Sequence, residues 1–412
     1  MAWNATGMSW LDVPEFSSRV SQMDASQTLL IEGWRFLPHS YAIVNQFQIL
    51  ELLKQPSLRL VHRDMPLPVN RWVPAYGLFE AAEEERLKNI AVAPARQGAD
   101  AVLRITFPYH CEDSAAPRTC VFGTSEFGCV PKQFIAGGRP LAQALAESQT
   151  QIITPSQWSR NGFIHSGAPP ERVTVVPHGV DPTVLRPLEA AEREARRESS
   201  GLTGFTFLTI GSLTGNKGLP LLLKAFAEVI LRYPEVRLVI KGLESLYPSL
   251  QLLRQQGQSL TDAEMERVSN RMIYTGETLS YRKMASLYQC VDAYVSPYLA
   301  EGFNLPVLEA VACGLPVICT AGGSTDDFTR PDFALRIESK RLETSQNGVQ
   351  GWNLEPSLDH LIAQMCEVVE NEKLVRTARV AGPAWVANGF TWAQVTEQLL
   401  RELFPSGLTA KK

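Results

Sequence analysis

The stretch Ala300-EGFNLPVLEA-Val311 decides the fold. Two glutamates, Glu301 and Glu309, stand on either side of Gly-Phe-Asn-Leu-Pro. One continuous helix does not suit this composition. Gly302 and Asn304 are poor helix-interior residues, and Pro306 has no N–H to give. The same residues suit a helix start. Asn304 is expected as the N-cap, Pro306 fits the first turn, and VLEAVACG runs on as helix to a terminating Gly314. Glu301 then lies in a glycine-containing loop and Glu309 inside the helix. Between them is a helix N-terminus, which attracts anions such as phosphate. The apolar run DAYVSPY just before it reads as a strand, so the whole is a strand–loop–helix unit.

Working outward, the same unit recurs in both directions. TLLIEGW, LRLVHRD, DAVLRITF, RTCVFGT and QIITPS read as strands, with helical patterns such as VNQFQILELLKQ and GGRPLAQALAES among them. After the strand and prolines of VTVVPHGVDPTVLRP comes EAAEREARRESS, a charged stretch with no apolar stripe. It reads as a solvated helix or linker. The alternation then restarts with FTFLTIGS, GLPLLLKAFAEVILRY and VRLVIKG. This order implies α/β architecture with two doubly wound, Rossmann-like domains. The expected division is 1–190, a linker at 191–204, a second domain at 205–389, and a C-terminal helix and tail at 390–412. In such sheets ligands sit beyond the carboxyl ends of the strands. The loops GSLTGNKG, IKGLES, SPYLAEGFN and CTAGGSTDD all leave those ends and should converge on one crevice.

Composition sets outer bounds. A chain of 412 residues with 45% hydrophobic and 20% charged residues suits two globular domains. Its net charge of -4 offers no bulk footprint for nucleic acid. No apolar run approaches the ~18 residues of a membrane span, which still leaves room for peripheral membrane contact. MAWNATGMSWLDVPEF lacks the basic and apolar regions of a secretory leader. Seven cysteines with no Cys-x-x-Cys pair fit a reducing compartment, so a cytoplasmic location is expected. Cys111, Cys120 and Cys129 recur at an interval of nine that matches no metal-ligand spacing, and the six histidines form no His-Glu-x-x-His, so no metal site is expected.

The ordered set of motifs over about residues 150–400 resembles the family-four retaining glycosyltransferases of the GT-B fold. GSLTGNKGLPLLLKAF is similar to that family's phosphate-binding loop and helix. SPYLAEGFNLPVLEAVACGLPVICTAGG is similar to its signature glutamate motif, and ITPSQWSRNGFIHSGAPPERVTVVPHGVD to the stretch closing its first domain. GFTWAQVTEQLL resembles its C-terminal helix, which crosses back to the first domain. The resemblance implies two domains facing a central cleft. It implies a nucleotide-sugar donor, UDP- or GDP-linked, held mainly by the second domain, and transfer to a hydroxyl acceptor with retention and no obligate cofactor or metal. It places Glu309 on the ribose hydroxyls and Glu301 beside the donor sugar. The residue chemistry agrees. Lys217 supplies positive charge, the backbone at Gly302, Phe303, Asn304 and Leu305 offers N–H groups at a helix start, and a carboxylate accepts two sugar hydroxyls at once.

The sequence also departs from the family. Ser212 stands where the phosphate loop usually carries arginine, and Lys241, ending the strand VRLVIK, is the candidate substitute. Asn304 stands where glycine is commoner. Many relatives place a histidine after a first-domain strand, beside the sugar, and this part of the chain is the weakest match. His110, after RITFPY, and Glu126, after RTCVFGTS, are the candidates for that place. Glu126 is favoured because its strand holds the matching place in chain order. His39 and Ser40, after the first strand, are candidates for the acceptor side, and His178 reads as a structural residue in a turn near the hinge. Two other readings keep the architecture: a nucleotide-sugar epimerase or phosphorylase, and a catalytically silent scaffold that binds a nucleotide sugar or a partner.

Overall fold

Apolar strands and amphipathic helices alternate along the chain, and two parallel sheets result. The structure is a computed structural model that describes residues 27–94 and 97–408. The leader reading at the N-terminus lies outside the described residues. The first sheet contains β1 (Gln27–Gly33), β2 (Leu58–Asp64), β3 (Ala91–Val92), β4 (Ala101–Ile105), β5 (Arg118–Phe122), β6 (Gln151–Thr154) and β7 (Val173–Val175). The second contains β8 (Thr206–Ile210), β9 (Arg237–Lys241), β10 (Met272–Thr275), β11 (Ala293–Ser296), β12 (Val317–Thr320) and β13 (Ala334–Ile337). The orders are β3-β2-β1-β4-β5-β6-β7 and β10-β9-β8-β11-β12-β13, with parallel pairing throughout. Strand order reverses at β1/β4 and again at β8/β11. Loops diverge at such points and leave a crevice at the strand ends. β4 and β11 are buried along their whole length, as central parallel strands covered by helices on both faces must be.

Of the two readings of the charged stretch, solvated helix or linker, the helix is what the structure shows. Ala190–Ser199 is a helix fastened to the second domain. Arg193 and Arg197 pair with Asp292 at 2.5 and 2.9 Å, and buried Arg197 also donates to the Cys290 carbonyl at 2.7 Å. Its anchor is charge and not an apolar stripe, so hydrophobic periodicity does not reveal it.

The C-terminal helix Trp392–Leu403 does cross back. Thr391 caps it in a capping box with Gln394, and Trp392, Val395, Leu399, Leu400 and Leu403 form one buried stripe. Trp392 stacks on Phe47 of the first domain at 5.0 Å with the rings 7° from parallel. Arg118 Nε donates to the Glu402 carbonyl at 3.0 Å.

One element has no counterpart in the sequence reading. An antiparallel hairpin, β14 (Ser339–Gln346) and β15 (Val349–Pro356), turns at Asn347-Gly348 and reaches the first domain. The Trp352 N–H donates to the Phe127 carbonyl at 2.8 Å. Its ring covers Gly128, where an added Cβ would lie 2.2 Å from the indole. Among the described residues no helix is long and apolar enough to cross a membrane. All seven cysteines are free and buried.

The crossing helix should hold the two domains as one folding unit. Trp392→Ala removes a buried, stacked ring, so a loss of about 3–5 kcal/mol is expected. Urea denaturation followed by circular dichroism measures it. A loss under about 1 kcal/mol, the size of a surface substitution, contradicts the packing role.

Candidate functional site

The loops at the strand ends face one another across a cleft of about 610 Å³. The second-domain wall begins with the loop after β8. Gly218 has φ +70°, and a Cβ there would come within 1.9 Å of the Pro297 carbonyl oxygen, so this turn requires glycine. The turn ends the short helix Gly215–Lys217 and starts the helix Leu219–Arg232, which leaves Lys217 at the cleft. Lys217 Nζ donates to Glu301 Oε1. Burial opposes its charge, yet the carboxylates of Glu301 and Glu126 outweigh burial and hold the ammonium above its usual range. In the same loop Ser212 Oγ lies 2.9 Å from Thr214 Oγ1, which donates to Asn216 Oδ1 at 2.7 Å.

Glu126 arrives from the first domain, just after β5. Asn216 Nδ2 donates to its Oε2 at 3.3 Å and to the Ala300 carbonyl at 2.9 Å. The Trp158 indole N–H fixes the Glu126 carbonyl at 2.7 Å, and Trp158 meets Trp352 of the hairpin edge-on at 6.0 Å. The ammonium thus bonds Glu301 of its own domain, and the contact from this loop to Glu126 of the other domain is the Asn216 amide. Burial pushes the Glu126 carboxyl up to about 7, with Lys217 opposing the shift and Glu301 adding to it.

The glutamate motif starts its helix at Leu305, with Pro306 in the first turn, and Gly314 lies just past its end. The expected side-chain cap is absent. Asn304 has φ +72° and ψ +61°, a left-handed conformation, and makes no capping bond. Its Nδ2 donates instead to Ser296 Oγ at 2.9 Å. Asparagine tolerates this conformation better than most residues, which explains how it stands where glycine is commoner. The Leu305 N–H opens the helix without that side chain, Pro306 has no N–H, the Val307 N–H bonds the Asn304 carbonyl at 3.0 Å, and Asn304, Leu305 and Pro306 line the cleft. Glu309, one turn further, is half-buried, and Tyr288 OH donates to its Oε2 at 2.6 Å. Burial pushes its carboxyl up to about 7 against that hydrogen bond.

Lys241, at the end of β9, is buried and lines the same cleft. Its Nζ donates to the Gly242 carbonyl, and burial pulls its pKa down to about 8. Gly302, Phe303 and Leu305 also line the cleft, as do His39 and Ser40 from the first domain. His39 caps the helix Ser40–Leu52, its Nδ1 accepting from Tyr41 N–H at 3.3 Å, and burial lowers its pKa to about 4. His110 stands apart from this group. It is absent from the cleft wall, and its Nδ1 lies 3.1 Å from Glu112 Oε1 on the outer surface. The β4 loop instead presents Tyr109 to the cleft.

Several cleft residues escaped the sequence reading. His178 is buried in the wall between Phe122 at 5.5 Å and Phe303 at 4.8 Å, its Nδ1 without a partner and its pKa pulled down to about 3 by burial. The sequence reads it as a structural turn residue near the hinge, and the chain passes the cleft there. Tyr41, Tyr109 and Thr124 form a hydroxyl cluster: Tyr41 OH is 3.0 Å from Tyr109 OH and 3.2 Å from Thr124 Oγ1. Gln346 comes from the hairpin, whose Asn-Gly turn between alternating strands was the available signal. Among the described residues no group of three His, Cys, Asp or Glu could hold a metal ion.

Residues 204–340 match the protein-family model described as Glycosyl transferases group 1. The curated relatives include D-inositol 3-phosphate glycosyltransferase of Rhodococcus opacus (strain B4), 30% identical over 248 residues, covering 57% of this chain and 52% of the relative. That of Mycobacterium bovis (strain BCG / Pasteur 1173P2) is 27% identical over 260 residues, covering 63% and 49%. The chain spans about half the length of the curated relatives it matches. Among solved structures, Anabaena Alr3699/HepE in complex with UDP and glucose superposes with a TM-score of 0.66 at 15% identity, over 92% of this chain and 100% of that one. Sucrose-phosphate synthase from Thermosynechococcus elongatus gives 0.65 at 17% identity over the same shares. The fold is GT-B, and within the second domain residues 204–340 are similar to the group 1 glycosyl transferases.

Glu309 should make the unliganded protein less stable at alkaline pH. A carboxyl raised to about 7 when folded contributes stability that is complete below its unfolded pKa and lost as pH rises through 7. Glu309→Gln keeps the acceptor for Tyr288 and removes the charge. The variant should match the parent near pH 4.5 and exceed it at pH 8 by up to about 3 kcal/mol. Thermal melting across that range measures the difference, and a constant gap contradicts the reading.

Proposed function

Taking the likeness to the group 1 glycosyl transferases as premise, we propose that this protein is a retaining glycosyltransferase. It moves a sugar from a UDP- or GDP-linked donor to a hydroxyl acceptor. One observation carries the reading: Lys217, Lys241, a helix N-terminus and Glu309 border a single cleft, opposite the first-domain residue Glu126. UDP-glucose is the first donor to try, because it is bound in a structure of the Anabaena neighbour. The free, buried cysteines are consistent with work in the cytoplasm.

In this proposal the diphosphate lies at the start of the helix Leu305–Ala312, with Lys217 and Lys241 beside it. Lys217 exchanges Glu301 for phosphate oxygens, and Lys241 takes the place of the missing arginine at Ser212. Glu309 accepts the two ribose hydroxyls as a carboxylate, through bonds stronger than those between neutral groups. Glu301, released from Lys217, faces the hydroxyls of the donor sugar. Chemistry then depends on stabilising the departing diphosphate and on positioning the acceptor. The acceptor oxygen forms its bond to the anomeric carbon on the face that the diphosphate leaves. A phosphate oxygen takes the acceptor proton, so no separate base is required. Glu126 supports the cationic sugar of the transition state.

Incubating the protein with nucleotide sugars and no acceptor tests the reading, because transferases of this kind leak sugar slowly to water. Release of nucleoside diphosphate from at least one UDP- or GDP-sugar is expected. Tight binding without release would identify a silent scaffold. Glu309→Gln should cost roughly 1.5–3 kcal/mol in nucleotide-sugar affinity, the range for hydrogen bonds to charged groups, by calorimetric titration. Unchanged affinity would count against the ribose role. Lys217→Ala should weaken nucleoside diphosphate far more than the bare nucleoside. An equal loss for both would make the lysine structural.

A further inference from the structure

The residue before Lys217 joins three segments of the cleft wall. Asn216 lines the cleft in the loop after β8, and its own domain holds it in place. Its Nδ2 donates to the Ala300 carbonyl at 2.9 Å, and its Oδ1 accepts from Thr214 Oγ1 at 2.7 Å. The Asn216 carbonyl accepts the Leu299 N–H at 2.8 Å, which pins the backbone as well. A carbonyl oxygen only accepts, so the Ala300 contact decides which end of the amide is the donor. The Thr214 proton then goes to Oδ1, and Ser212 Oγ, 2.9 Å away, donates to Thr214. A run of hydrogen bonds thus leads from Ser212 through Thr214 to the Asn216 amide. The same Nδ2 donates across the domain boundary to Glu126 Oε2 at 3.3 Å. Members of such a run polarise and strengthen one another.

We infer that Asn216 is a positioning residue, which holds the Glu126 carboxylate in place across the domain boundary while the donor sugar reacts. The inference rests on the transferase reading above and deepens it. The Glu126 side chain has little else to hold it. Trp158 bonds its carbonyl and not its carboxyl, and among the described residues the hydrogen bond to the carboxyl is the one from Asn216. Glu301 repels it. Lys217 attracts it but bonds Glu301, and in the proposed mechanism turns to phosphate. Asn216 has no charge to offer a phosphate, and its amide nitrogen already donates to two protein oxygens. It therefore stays with Glu126 when the lysine turns away. A neutral donor suits that place. It favours the carboxylate over the protonated form without cancelling the negative charge that faces the cationic sugar.

The test uses the whole protein and the UDP- or GDP-sugar that it hydrolyses, with UDP-glucose tried first. The parent is compared with Asn216→Ala, Glu126→Gln and the double variant. Asn216→Ala should lower kcat for hydrolysis about tenfold or more, the worth of a hydrogen bond to a charged group. The Kd of the nucleoside diphosphate should stay within about twofold, because the amide is engaged by protein and not by the donor. Burial places the Glu126 carboxyl at about 7, so its titration falls in a measurable range. A carboxylate that loses a donor holds its proton more tightly, so the acid limb of the Asn216→Ala profile should move up by about one pH unit. In the Glu126→Gln background the same substitution should cost less than about twofold, because a residue that acts through Glu126 then has no charge to position. A melting-temperature rise with the nucleoside diphosphate confirms that each variant is folded. Asn216→Asp keeps the shape, repels Glu126 and should be at least as slow, and it carries the same comparison if the alanine variant shows no such rise. An equal loss in both backgrounds, an acid limb that stays in place, or parental turnover in the Asn216 variants overturns the inference. If the parent hydrolyses no nucleotide sugar, the transferase reading itself fails, and that result appears before any variant is made.

Discussion

A lysine–glutamate pair at the cleft, Lys217–Glu301, organises this molecule, with the Glu126 carboxyl of the other domain near enough to feel both charges. Lys217 belongs to the second domain, as does Glu301, while Glu126 comes from the first. Charges removed from water must be paired, and breaking such a pair is far costlier than forming it is rewarding. Each partner is accordingly held from behind. Gly218 fixes the turn that presents Lys217, and Asn216 spans from Glu126 to the Ala300 carbonyl. Trp158 and the hairpin residue Trp352 fix the carbonyls of Glu126 and Phe127. Lys217 and Glu301 follow β8 and β11, where the strand order of the second sheet reverses.

This arrangement fits a site that waits for an anion. With no donor present, Glu301 satisfies Lys217. A diphosphate would offer the lysine more oxygens and free Glu301 for other bonds. Glu309 follows a similar logic. Its carboxyl sits where burial penalises charge, and only one hydrogen bond from Tyr288 offsets the penalty. Stability is thereby given up at this position, and under the proposed ribose role the ligand's hydroxyls would supply the further donors. Functional sites commonly show this trade.

Much of this was legible in the sequence, for physical reasons. Short apolar runs exposed the buried central strands, and period-3.6 patterns the helices. The turn residues around Gly302 to Pro306 exposed the helix start between two glutamates. Glu126 could be found because chain order in a doubly wound sheet nearly fixes spatial order. What escaped depended on contacts between distant segments. The stretch Ala190–Ser199 looked like a solvated helix or linker because Asp292, which anchors it, lies almost a hundred residues on. His110 and Tyr109 are adjacent in sequence, and which of them faces the cleft depends on the path of the loop after β4. Asn304 was placed correctly at the helix start, but its left-handed backbone turned its amide toward Ser296 instead of the first turn. The hairpin was legible at Asn347-Gly348 and was missed. Its grip on the loop beyond Glu126 was not legible, since nothing in either segment names the other.

The central claim is that one interdomain cleft holds a nucleotide sugar with its diphosphate between Lys217 and the helix Leu305–Ala312. A crystal structure of the protein grown with UDP-glucose tests it most directly. The account predicts phosphate oxygens bonded to Lys217 Nζ and to the opening backbone N–H groups of that helix, the ribose on Glu309, and the Lys217–Glu301 bond broken. A nucleotide bound elsewhere, or bound in the cleft with Lys217 still paired to Glu301, would contradict it.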